Sequence, residues 1–206
     1  MLELKHPECM EIHEDQTVHH GGSQDWYADW WWRRAGCGPT AAANLIWYRA
    51  HAHPHLYTPK MMIAGDRDIW NYINLQDEMF TYVTPARGGV NTSVHFRTGM
   101  MNFASNHGVV TEFAVLEVPE AVAYRPSDEM TLEFIAGGLK VDAPIAFLNL
   151  HNGNQSKLER WHWVTIVSLD PDSRQVVFSD HGHLLEMDIV QWLQTTERGG
   201  AFLYLL

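Results

Sequence analysis

Cys37, His162 and Asp180 are the residues of this chain whose types and order suit nucleophilic acyl chemistry. A cysteine attacks a carbonyl as the thiolate, so it needs a general base, and the base needs a group to orient it. The stretch Gly36-Cys37-Gly38-Pro39-Thr40 sits where a small-residue helix should begin. The first N–H groups of a helix lack intrahelical partners and its dipole favours negative charge, so a thiolate there is stabilised. Pro39 suits the first turn, where a missing N–H costs nothing. Gly36 and Gly38 are expected to leave room for a ligand to approach the sulfur. The plain alternative for Cys37 is a small buried core residue. The flanking glycines and the helix start favour a reactive thiol.

The base and its orienter come from the second half of the chain. His162 opens Trp161-His162-Trp163-Val164-Thr165-Ile166-Val167, and Asp180 closes Val176-Val177-Phe178-Ser179-Asp180. The turn Asp170-Pro171-Asp172-Ser173 separates two β-rich runs, which predicts an antiparallel hairpin. Positions 162 and 180 are symmetric about residue 171. In the simplest register they are directly opposed, with Cβ atoms about 4.5–5.5 Å apart. If the register slips by a residue or two, Ser179, Asp172, Asn152 or Asn154 become the next orienters. An inert interior histidine and a strand-end aspartate are the plain alternatives.

The elements that must position these groups can be read in outline. Residues 1–22 are polar and rich in His and Glu, predicting a loose lead with at most one short strand. Gln24 to Trp32 reads as an irregular aromatic segment. Helices are expected over Cys37–Ala50, Asp66–Tyr82 (capped by Asp66 or Asp68), Thr92–Asn106, and from Ser127 to about Leu139, ending near Gly137-Gly138. His51-Ala52-His53-Pro54-His55 breaks the first of them. Strands are expected over Val109–Val118, Pro144–Leu150, Trp161–Leu169, Gln175–Ser179, Leu184–Met187 and Ala201–Leu206, with a helix over Asp188–Thr195. Helices first and an antiparallel sheet last define an α+β class. The expected organisation is one domain over 1–206: a polar lead at 1–23, a mainly helical part at 24–140 and a sheet part at 141–206.

Composition narrows the function classes. A formal charge of −11 leaves no basic stripe to neutralise phosphates, which argues against nucleic acid. Cys9 and Cys37 are the two cysteines and make no disulfide framework. No apolar run approaches a membrane span, and Met1–Pro7 is polar rather than leader-like, so a cytoplasmic protein is expected. Metal chemistry is the first rival, since His19-His20, His51-x-His53-x-His55 and His181-x-His183 offer imidazoles. None has the spacing of a zinc motif, and no metal or cofactor is expected. Of nine tryptophans, Trp26, Trp30, Trp31 and Trp32 precede Cys37, as core packing or as an aromatic wall beside the thiol.

Together, Gly36-Cys37-Gly38-Pro39-Thr40, His162-Trp163-Val164-Thr165-Ile166-Val167 and Phe178-Ser179-Asp180 resemble the papain-like cysteine peptidases. The resemblance is greatest to the branch that holds the peptidase domains of bacteriocin-processing transporters and their free-standing relatives. It covers the chain from about Trp26 onward. It implies a Cys-led helix packed on an antiparallel sheet that supplies the His and the Asp. It also implies cleavage of a peptide or protein substrate through a thioester. In that implied mechanism Cys37 attacks, His162 carries the proton, Asp180 orients His162, and the Cys37 N–H and one further donor hold the oxyanion. The family commonly supplies that donor as a Gln about six residues before the cysteine, where this chain has Trp31. Gln24, thirteen residues ahead, and Trp31 are the candidate donors, with Arg33 and Arg34 as substitutes. Two other expectations follow: a peptide-binding module of the same fold with weak or no catalysis, and an acyltransferase or transglutaminase-like enzyme.

Overall fold

The computed structural model describes residues 1–56 and 66–206. In chain order the elements are β1 (Leu2–Glu3), β2 (Glu11–Glu14), β3 (Thr17–His20), α1 (Trp30–Ala35), α2 (Cys37–Ala52), α3 (Ile69–Tyr82), α4 (Ser93–Asn106), β4 (Phe113–Val118), α5 (Asp128–Lys140), β5 (Ile145–Asn149), β6 (His162–Asp170), β7 (Gln175–Asp180), β8 (His183–Asp188), α6 (Ile189–Thr195) and β9 (Gly200–Leu205). The protein is α+β. One antiparallel sheet of seven strands runs β4-β9-β5-β6-β7-β8, with β1 paired to the far end of β6, and β2 and β3 form a separate hairpin. Among the described residues no helix is long and apolar enough to cross a membrane.

Helix α2 is the centre of the fold. Its residues from Gly38 to Tyr48 are all buried, so it is a core helix rather than an amphipathic surface one. Its small side chains, Ala41, Ala42 and Ala43, let α3, α4 and the sheet approach closely. Strand β5 is buried on both faces, and its first four residues, Ile145 to Leu148, therefore read as an apolar run. Ala146 and Leu148 pack with α2, α3 and α4, while Ile145 and Phe147 pack with α5 and α6. Each large apolar side chain buried this way contributes roughly 1.5–3 kcal/mol.

Capping fixes the helix starts. The side chains of Asp68, Thr92, Ser127 and Asp188 accept backbone N–H groups from α3, α4, α5 and α6. Four sequence expectations need correction. The lead is not loose, since it supplies β1 to the sheet and folds β2 and β3 into a hairpin. The aromatic segment is not irregular throughout, because Asp29 caps α1 by accepting from the Trp31 and Trp32 N–H groups. Helix α5 runs straight through Gly137-Gly138, where the missing side chains admit Tyr204 of β9. The strand expected from Val109 begins at Phe113, and this β4 carries the 24–140 part into the sheet.

Candidate active site

Cys37 is the first residue of α2, and Gly36, the cap of that helix, also ends α1. Among the described residues no side chain caps α2, so its first-turn N–H groups around the sulfur have no side-chain acceptor there. The two glycines do not open space for a ligand, as the sequence suggested. A Cβ on Gly38 would sit 2.8 Å from the Val90 Cβ, and one on Gly36 would run into Tyr27 and the Trp32 carbonyl. They are glycines because the protein itself fills their side-chain space.

His162 is the first residue of β6 and Asp180 the last of β7. The His162 Nε2 and the Asp180 Oδ1 are 2.7 Å apart, and both side chains are buried. They are not directly opposed. The turn ends with Asp170 paired to Gln175, and a bulge between Ile166 and Ser168 shifts the ladder again, so Thr165 lies opposite Ser179. Continuing that register sets residue 180 against 164, two positions from the expected pairing. A two-residue slip preserves the side of the ribbon on which a side chain stands, so His162 and Asp180 meet as diagonal neighbours. A one-residue slip would have separated them. None of the fallback orienters is needed.

Cys37 lines the same slot as this imidazole, close enough for its sulfur to act on the ring's titration. Burial alone would pull the His162 pKa down. The Asp180 carboxylate and the Cys37 sulfur outweigh burial and lift it from 6.5 to about 10. With Nε2 committed to Asp180, Nδ1 is the nitrogen left for the sulfur. Cys37, His162, Asp180 and Gln24 line one cavity of about 10 Å³, the size of a single water.

The two candidate donors occupy different places. Gln24 shares that slot with Cys37 and His162, whereas Trp31 lines a larger cavity that also contains Cys37. Gln24 reaches the slot because the lead doubles back. The His20 N–H donates to the Gly182 carbonyl, the Gly182 N–H donates to the Gly22 carbonyl, and Ser23 caps a short 3₁₀ turn, Gln24–Trp26. Among the described residues the buried Gln24 Oε1 has no partner, so none of them fixes which end of the amide faces the slot.

Sequence reasoning missed the supporting roles of three residues. Asn44 joins the segments that carry the site: its Nδ2 donates to Thr165 Oγ1 at 3.0 Å, and its Oδ1 accepts from the Gly22 N–H at 2.8 Å and the Tyr72 hydroxyl at 2.6 Å. A polar residue at a core position of an otherwise small and apolar helix was the available signal. His181 takes a positive φ of 47° in the tight β7–β8 turn and stacks on His162, with ring centroids 5.8 Å apart. Its Nδ1 lies 3.0 Å from Asp25 Oδ2 and 3.3 Å from Ser23 Oγ, which clamps the Gln24 turn to the Asp180 turn. Ser179 donates to the His20 carbonyl and strengthens the same clamp.

Of the four early tryptophans, Trp31 lines a cavity with Cys37. Trp32 stacks on Phe80, Trp26 packs edge-on to Tyr72, and Trp30 is exposed. Among the described residues, Glu159, His162 and His181 are the one group with metal-ligand atoms within 4.8 Å of one another. The His162 Nε2 is engaged by Asp180. No family model matches this chain, and no curated protein matches it in sequence.

Proposed function

We propose that the protein is a papain-like cysteine peptidase or amide hydrolase, a single domain acting on a peptide or protein through Cys37, His162 and Asp180. The observation that carries this reading is one buried imidazole with the Asp180 carboxylate on one nitrogen and a cysteine at a helix N-terminus beside it in the same slot. A Cys-led helix against an antiparallel sheet that supplies both other groups supports the fold assignment.

In this mechanism the Cys37 thiolate attacks the amide carbon while His162 is held as the imidazolium. The carbonyl π electrons move to oxygen, and the oxyanion accepts from the Cys37 backbone N–H and the Gln24 side-chain amide. On collapse the C–N bond breaks, His162 protonates the leaving amine, and the acyl group remains as a thioester. A water then gives its proton to His162 and attacks the thioester. The C–S bond breaks, releasing the acid and restoring the thiolate–imidazolium pair. Asp180 keeps the ring oriented throughout.

Labelling with a thiol-directed irreversible inhibitor tests the reading. Rapid modification of Cys37 is expected. Cys9 should react slowly, because burial followed by the nearby Glu8 carboxylate pushes its thiol pKa above the ordinary value. Equal, slow labelling of both cysteines would count against an activated Cys37. A peptide library should yield new termini with the wild-type protein and none with Cys37→Ala.

A further inference from the structure

Beside Cys37 lies a cavity of about 200 Å³ that contains none of His162, Asp180 or Gln24. Its apolar lining includes Trp31, Trp161, Leu148 and Leu150, and its charged lining is Arg34 and Arg87. No carboxylate lines it, in a protein with 25 Asp and Glu residues against 14 Lys and Arg. Arg34 and Arg87 are exposed, and neither guanidinium has a hydrogen bond or ion pair among the described residues. A third guanidinium, that of Arg198, lies 5.4 Å from the centre of the Trp161 ring. Trp161 itself takes a positive φ of 57°, uncommon for a bulky residue, immediately before His162.

We propose that this cavity is the recognition subsite of the Cys37 centre and selects a carboxylate on the peptide, from an Asp or Glu side chain or a free C-terminus close to the scissile bond. The inference rests on the proposed hydrolase reading for its role in turnover, though not for the binding itself. A net charge of −11 suggests a preference for basic peptides, and the lining of this cavity says the reverse. A guanidinium meets a carboxylate through paired N–H donors, and such bonds are stronger than neutral ones. Two unpaired guanidiniums beside apolar walls suit a short peptide segment that carries one negative group. Exposure keeps the gain modest, about tenfold in affinity, and makes it sensitive to salt.

The test uses Cys37→Ala protein and four pentapeptides, read by tryptophan fluorescence. They are the acetylated, amidated Ala-Ala-Glu-Ala-Ala, its Gln and Lys counterparts, and the Gln peptide with a free C-terminus. Tighter binding of the Glu peptide than the Gln peptide identifies a side-chain carboxylate. Tighter binding of the free acid than its amide identifies a C-terminal one. Arg34→Gln with Arg87→Gln should erase either preference, and Arg87→Glu should shift it toward the Lys peptide, with circular dichroism checking the fold of each variant. Equal affinities for all four peptides, no saturable binding, or a preference that survives the arginine substitutions would overturn the proposal. Because binding is measured without the thiol, a carboxylate preference in a protein that never hydrolyses peptides would sink the hydrolase reading and leave the subsite standing.

Discussion

At the scale of single residues, the chemistry rests on how few groups surround the Cys37 sulfur. Gln24 and Trp31 were equal candidates for the second oxyanion donor because sequence distance says little about where a lead segment folds. The slot that contains Gln24, Cys37 and His162 separates them. Gln24→Ala should lower kcat by about 10²–10³ with a smaller change in KM, the signature of a donor used mainly in the transition state. Trp31→Phe should leave kcat nearly unchanged and act through KM, since Trp31 lines the larger cavity. Steady-state kinetics on any cleaved peptide distinguishes these outcomes, and a Gln24→Ala protein with wild-type kcat would remove Gln24 from the machinery. Asp180→Asn should slow turnover further, by about 10²–10⁴, since an amide can hold the ring in the wrong tautomer. Cys37, His162 and Asp180 were legible in the sequence because each sits at a punctuation point: a helix start, the first residue of a strand, the last residue before a tight turn. Asn44 and His181 were not, because their roles depend on which segments become neighbours.

At the scale of elements, the expected hairpin register was off by two residues, yet the expected pair still meets. The cause is local. The turn is longer than a loop centred on Pro171, and a bulge near Val167 adds a residue on β6. Hydrophobic alternation constrains which side of a strand faces the core, and thereby parity, but not the length of a turn. Helix boundaries were more legible than strand boundaries, since Asp68, Thr92, Ser127 and Asp188 announce their helices by side-chain type. Helix α1 escaped because Trp30-Trp31-Trp32-Arg33-Arg34-Ala35 has no apolar period, although Asp29 was its cap in plain view. Asn44 carries the consequence of these placements. It bridges α2 to β6, to the Gly22 backbone and to Tyr72 on α3, so its loss strands several buried polar groups at once. Asn44→Leu is expected to destabilise the fold by about 2–4 kcal/mol. Chemical denaturation measures that cost. Activity remaining below saturating denaturant should fall faster than helix content, because the Gln24 segment and β6 are released from α2 together. A variant with wild-type stability would show that water replaces the amide without cost.

At the scale of the whole molecule, buried titratable groups set opposite limits on stability. Asp142 lies at the C-terminal end of α5 and is almost fully buried. Burial disfavours its charge, but the Tyr48 hydroxyl, the Lys5 N–H and His53 hold its carboxyl below the usual 3.8. Its stabilising contribution is therefore present above pH 3.8 and lost as the pH falls through the lower folded value. This ties the lead, α2 and α5 together, which explains why a polar N-terminal stretch that looked loose is ordered. His51 adds to the same limb: burial holds its pKa below 6.5 despite its bond to the Trp47 carbonyl, so its contribution fades as the pH drops below 6.5. His162 works the other way. Its folded pKa of about 10 exceeds the unfolded 6.5, so the folded protein holds a proton the unfolded chain has released. That contribution is full below pH 6.5 and disappears as the pH climbs toward 10. Cys9 also loses stabilisation at high pH, but its window opens only above 9.0, leaving the interval from 6.5 to 9.0 as the fingerprint of His162. The melting temperature should therefore peak near pH 6.5 and decline through that interval. Asp180→Asn removes the first of the groups that raise His162 and should flatten the decline between pH 6.5 and 9.0. Asp142→Asn should do the converse, lowering stability near neutrality and flattening the slope below pH 4. An alkaline decline of the same steepness in Asp180→Asn would mean that some group other than His162 carries it, and the charged pair at the centre of the proposed mechanism would lose its thermodynamic support.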